Sequence, residues 1–106
     1  MKVDGPREIR FVSLDGLLGY GYPEDSLRRA MELDPHFVGV DAGSTDPGPY
    51  YLGNGTAFVR PAQVKRDLAI GLRAALDHGV PLIVGTAGGS GARPHVEAFL
   101  DIVKAY

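Results

Sequence analysis

Three times along this chain, an apolar run is followed by a glycine-rich stretch and then by a segment with helical spacing. The apolar runs are residues 9–15, 37–41 and 81–85. The helical segments begin near Pro23, Pro61 and Pro94, and proline suits the first turn of a helix. Strict alternation of strands and helices predicts parallel strands joined by right-handed crossovers. We therefore expect an α/β fold, a three-stranded parallel sheet in the order β-α-β-α-β-α that forms a Rossmann-like half domain.

The second helix has the clearest pattern. Its apolar residues recur at three- and four-residue spacing and predict one buried face: Val64, Leu68, Leu72, Ala75 and Leu76. Asp67 and the other charged residues are expected largely off that face. Gly79 is a typical residue for the end of this helix. Residues 81–85 are apolar throughout, which is typical of a strand buried on both faces of a parallel sheet.

The order of the strands in the sheet is left open by the sequence. Helices on opposite faces would require the order 2-1-3, whereas helices on one face would give 3-2-1 or 1-2-3. Three strands are also few, because the average sheet has about five or six. We expect residues 1–106 to be a single α/β domain or the N-terminal fragment of a larger enzyme domain. Self-association or a partner chain is expected to complete the sheet.

Composition excludes several classes of function. The net charge is −2, so no electrostatic argument favours binding to nucleic acid or to an anionic membrane. The chain has no cysteine, which excludes disulfides and thiolate metal sites. It has no apolar run of about 18 residues and no apolar signal core near Met1. These features predict a cytoplasmic protein that does not span a membrane.

Glycine is concentrated after the apolar runs. Eleven of the fifteen glycines lie in residues 16–21, 43–55 and 85–91. In a parallel sheet these three loops leave from the carboxyl edge, where open α/β sheets bind ligands. Glycine also permits close approach of the backbone to a ligand. We therefore expect the three loops to meet in one binding site.

The loop over residues 40–55 is longer than most strand-to-helix connections, and such loops are commonly functional. It supplies the candidate substrate-binding residues Gly43, Ser44, Thr45, Tyr50 and Tyr51. The tyrosine pair could form a wall of the ligand site or could cover the end of the sheet.

Two carboxylates in the same loop are candidate catalytic residues. Asp41 and Asp46 could act as acid and base or hold Mg²⁺, which prefers oxygen ligands. Each also stands in a good turn sequence, where it could simply cap the turn. The sequence identifies neither a metal nor a cofactor.

The loop over residues 85–93 lies where a phosphate loop would lie, but it lacks both the Walker and the dinucleotide spacing. A nest of backbone N–H groups at the following helix could still bind an anion. The candidate substrate-binding residues here are Gly88, Gly89, Ser90 and Arg93. Ser90 lies five residues past the strand, too far for a nucleophile elbow, and the sequence assigns it no partner. His95 is the third candidate catalytic residue, since it begins the last helix beside this loop.

Several of these strings together resemble a known family. They are Leu18–Ser26, Gly43–Gly53, Val64–Leu68 and Pro81–Gly91, and they resemble the N-terminal part of the acyclic terpene utilisation AtuA-like family. The match covers nearly all of the chain, and members of that family are several times longer. The resemblance implies a bacterial-type intracellular enzyme that takes part in breakdown of branched acyl or terpenoid acids, or of their CoA esters. It implies a fold and a site location, and no particular reaction.

The sequence thus favours an N-terminal α/β segment of a catabolic enzyme that binds a small anionic substrate. The alternative is a non-catalytic regulatory or assembly subunit that docks a partner chain through its glycine-rich loops.

Overall fold

The computed structural model describes residues 8–14, 16–43, 53–54 and 60–105. Its strands are β1 (Phe11–Ser13), β2 (Phe37–Asp41) and β3 (Leu82–Gly85), and its long helices are α1 (Glu24–Met31), α2 (Pro61–Asp77) and α3 (Arg93–Ala105). A short 3₁₀ turn, Ala87–Gly89, precedes α3. Both strand pairs are parallel. The predicted α/β fold with alternating parallel strands and helices is therefore confirmed.

The strands lie in the order β1-β2-β3. Both crossovers step in the same direction across the sheet, and right-handed crossovers of that kind put their helices on one face. In agreement, α2 contacts both α1 and α3 and packs against β2 and β3. Among the orders that the sequence left open, the structure has the one with helices on a single face.

The core lies between the helices and that face of the sheet. Val38 and Val40 of β2 are buried there, and each belongs to a separate cluster of buried residues. Val38 packs with residues of α1 and α2: Leu27, Met31 and Ala75. Val40 packs beneath the carboxyl edge with Leu18, Ala42, Leu68 and Phe99. The cluster around Val40 therefore supports the carboxyl edge, from which the three loops leave.

The opposite face of the sheet is largely uncovered by the described residues. Ile83 of β3 is 54% exposed and Phe11 of β1 is 63% exposed. The rings of Phe11 and Phe37 stack on this face with centroids 5.2 Å apart. The prediction that β3 is buried on both faces is therefore wrong, because α1, α2 and α3 all pack on the other side. No helix in the described ranges is long and apolar enough to cross a membrane.

Candidate functional site

The described parts of the three loops lie side by side at the carboxyl edge. Leu18 N–H, in the loop after β1, donates to the carbonyl of Asp41 at 2.8 Å. Ala42 N–H, just after β2, donates to the carbonyl of Gly85 at 2.8 Å. These backbone bonds continue the sheet beyond the strand ends, so the loops begin at fixed positions relative to one another.

Gly43 joins the second loop to the third by direct packing. A Cβ atom at Gly43 would lie 2.3 Å from Cγ2 of Thr86 and 2.6 Å from the carbonyl oxygen of Gly89. Only glycine fits such an approach, since real Cβ contacts are essentially never under 3.0 Å. The backbone of the candidate residue Gly43 is therefore in contact with that of the candidate residue Gly89.

Asp41 forms the turn at the end of β2. Its Oδ1 accepts a hydrogen bond from Gly43 N–H at 2.8 Å, which is a local turn of the kind that aspartate favours. Asp41 is also exposed, so its carboxylate faces solvent at the carboxyl edge. The turn-capping interpretation of Asp41 is confirmed, and its catalytic role stays a prediction.

The third loop is shaped by backbone conformations that side chains resist. Gly88, Gly89 and Gly91 have φ angles of 76°, 118° and 75°, and Thr86 has a φ angle of 53°. A Cβ atom at Gly88 would lie 2.1 Å from the carbonyl oxygen of His95. The loop therefore folds back tightly onto the first turn of α3.

Ser90 and His95 form a hydrogen-bonded pair in this loop. The Ser90 hydroxyl bonds to Nδ1 of His95, and it accepts a further bond from Ala92 N–H at 3.3 Å. Ser90 is half-buried, whereas His95 is only 1% exposed. The structure thus gives Ser90 the partner that the sequence could not assign, and it places the imidazole beneath the hydroxyl rather than at the surface.

Arg93 is the first residue of α3 and its side chain is 89% exposed. Its Nε lies 3.7 Å from Oε1 of Glu97, which is also exposed, and exposed pairs of this kind contribute little to stability. Arg93 is therefore a cation that a ligand can attract away from Glu97 at low cost.

Asp67 is the residue that the sequence misplaced. It lies on α2, is 1% exposed, and its Oδ2 accepts hydrogen bonds from Gly19 N–H and Gly21 N–H, both at 2.8 Å. Its backbone carbonyl accepts a bond from the Tyr22 hydroxyl at 2.6 Å. One buried carboxylate therefore holds the loop between β1 and α1 against α2.

The position of Asp67 on the buried stripe was visible in the sequence, although its partners in the loop were not. Asp67 lies three residues after Val64 and four before Gly71, so it belongs to the same helical stripe as both. Gly71 is buried, and a Cβ there would lie 2.6 Å from Cδ1 of Leu14. Leu76, expected on the buried face, is instead 61% exposed. The buried stripe of α2 is therefore rotated toward Asp67, where its carboxylate accepts bonds from the loop after β1.

Five predicted site residues lie outside the described residues: Ser44, Thr45, Asp46, Tyr50 and Tyr51. The other seven predicted site residues lie near one edge of the sheet: Asp41, Gly43, Gly88, Gly89, Ser90, Arg93 and His95. Within the described ranges, no group of three or more His, Cys, Asp or Glu side chains could hold a metal ion.

Comparison with protein-family models, with curated proteins and with solved structures gives no match to this chain. The resemblance to the AtuA-like family thus rests on the sequence strings alone.

Proposed function

We propose that this chain is the N-terminal α/β segment of a cytoplasmic catabolic enzyme of the AtuA-like type. It binds a small anionic substrate, a branched acyl or terpenoid carboxylate or its CoA ester, at the carboxyl edge of the sheet. The observation that carries the proposal is the tight assembly of this edge. Two close contacts fix the backbone before any ligand arrives: that of Gly43 with Gly89 and that of Gly88 with His95. Such pre-organisation lowers the free-energy cost of binding.

The chemistry of the edge suits an anion with a carbonyl group. Arg93 supplies the positive charge, and the N-terminal end of α3 carries a partial positive charge of its own. Ser90 offers a hydroxyl whose proton can be shared with His95. Because His95 is almost fully buried, it acts through Ser90 and is a positioning residue in this proposal.

The proposal predicts that Arg93→Ala weakens the binding of isovaleryl-CoA or isovalerate by roughly 10- to 150-fold, because a charge-assisted hydrogen bond contributes about 1.5–3 kcal/mol. Lys104→Ala is the matched control, since it removes an exposed cation from the last turn of the same helix. Isothermal titration of both variants measures the difference. Equal affinities in the two variants, or no binding by the unmodified chain, would refute the proposed site.

A non-catalytic assembly subunit that docks its partner through the open face of the sheet, rather than through the glycine-rich loops, has one observation in its favour. Phe11, Phe37 and Ile83 form an apolar surface on the open face of the sheet, and exposed apolar patches commonly mark interaction sites. Under this alternative, Ile83→Asp abolishes binding to a partner protein, and acyl ligands leave the melting temperature unchanged. Under the leading proposal, Ile83→Asp leaves the affinity for isovaleryl-CoA unchanged, because Ile83 points away from the helices and their loops.

A further inference from the structure

The outer edge of β1 carries backbone groups that are not used within the sheet. The Arg10 carbonyl accepts from His36 N–H at 2.7 Å, and Leu14 N–H donates to the Gly39 carbonyl at 3.0 Å. Alternate residues of a strand direct their backbone groups to opposite sides, so the groups of Phe11 and Ser13 point away from β2. Since β1 is the end strand of the described sheet, these groups face outward along a free edge.

A groove of about 540 Å³ runs along this edge between β1 and the end of α1. Its lining includes Ile9, Phe11 and Leu33. All three side chains are more than 60% exposed, with values of 67%, 63% and 71%. The edge therefore combines unused hydrogen-bonding groups with an apolar surface, the combination that binds an added strand.

Two of the usual protections of an edge strand, lysine and proline, are missing here. Residues 9–14 contain no lysine and no proline, and charged or proline residues are what commonly block pairing at an edge. The one charge is Arg10, and its guanidinium bonds to the carbonyls of Leu33 and Asp34 and to the carboxylate of Glu8. Arg10 is thus neutralised locally and does not repel an incoming strand.

We propose that β1 pairs with β1 of a second copy of this chain, antiparallel and centred on Val12. In this register Phe11 of each copy lies opposite Ser13 of the other. Both residues direct their N–H and C=O groups outward, so each of the two pairs exchanges two backbone hydrogen bonds. The result is a continuous sheet across a two-fold axis, an isologous interface in which the same patch serves both copies.

Size and charge favour this occupant over an unrelated strand. Each large Phe11 side chain lies beside a small Ser13. Arg10 lies opposite Leu14, so no like charges face each other. Because β1 is complementary to its own copy in this register, the pairing requires no protein of a different sequence.

The test is sedimentation velocity over a concentration series with three forms of the chain. Ser13→Pro removes an outward N–H, and proline is tolerated in edge strands. Ser13→Ala is the matched control because it retains that N–H. We expect the unmodified chain and Ser13→Ala to form dimers and Ser13→Pro to remain monomeric. A monomer at all concentrations for the unmodified chain, or a dimer of undiminished strength for Ser13→Pro, overturns the proposal.

Hydrogen exchange of the unmodified chain provides a test that needs no variant. The amides of Phe11 and Ser13 are expected to gain at least tenfold protection between dilute and concentrated samples. Protection that appears only when a different protein is added would assign the edge to another partner and overturn the proposal. The outcome is independent of the ligand site, because β1 pairing requires neither Arg93 nor Ser90.

Discussion

Replacing Asp67 with alanine is expected to lower the free energy of unfolding by about 3 kcal/mol, a large part of the stability of a domain this small. The change leaves the N–H groups of Gly19 and Gly21 without their acceptor, the first of them in a fully buried position. Urea denaturation measures the loss. The loop between β1 and α1 is also expected to exchange its amide hydrogens faster, since Asp67 is its link to α2.

Two further variants identify the cause of this loss. Asp77→Ala removes an exposed carboxylate from the same helix, one whose Oδ1 lies 3.7 Å from Nε of Arg73, and we expect a change below about 0.5 kcal/mol. Asp67→Asn retains an acceptor oxygen of similar size, so its loss should be intermediate. Equal stabilities for Asp67→Ala and Asp77→Ala would show that the loop does not depend on this carboxylate.

The second large effect is expected at Gly88. Gly88→Ala combines a φ angle of 76° with a Cβ placed 2.1 Å from the His95 carbonyl oxygen. The left-handed conformation costs about 1–2 kcal/mol, and relief of the overlap costs about 1–3 kcal/mol more. We therefore expect the free energy of unfolding to fall by about 3 kcal/mol or more. The third loop can relieve the overlap only by moving away from α3, which breaks the contact between Ser90 and His95.

Two other glycines separate the contributions of conformation and space. Gly79→Ala is destabilised only by the left-handed conformation, because φ is 65° and no heavy atom lies within 4 Å of the added Cβ. Gly16→Ala meets neither cost and should leave stability nearly unchanged. Thermal unfolding of the three variants is expected to give losses that increase from Gly16 to Gly79 to Gly88. A Gly88→Ala protein as stable as Gly79→Ala would show that the loop is not held against α3.

The alternation of strands and helices was predictable because apolar runs and helical spacing are local patterns. The end of α2 was predictable for the same reason, and Gly79 indeed has the positive φ angle of a helix terminus. The strand order was not predictable, since it depends on which face each helix covers. The exposure of Ile83 follows from that same choice, so the sequence of β3 alone led to the wrong expectation.

The candidate site shows the same division between local and long-range information. Asp41 could be expected to cap a turn because its partner Gly43 is two residues away. The pairing of Ser90 with His95 depends on how far the loop folds back onto α3. Their separation of five residues in the sequence does not predict that contact. The role of Asp67 depends on Gly19 and Gly21, which are 48 and 46 positions away in the sequence. Only the packing of the loop against α2 brings them near.

The most direct test of the ligand site is a titration of the ¹⁵N-labelled chain with isovalerate and with isovaleryl-CoA, followed by amide chemical shifts. We expect the shifted amides to cluster at the carboxyl edge, in residues 18–21, 41–43 and 86–95. Arg93→Ala should reduce these shifts at equal ligand concentration, and Lys104→Ala should not. Shifts confined to the open face around Phe11 and Ile83, or no shifts with either ligand, would refute a ligand site at the carboxyl edge.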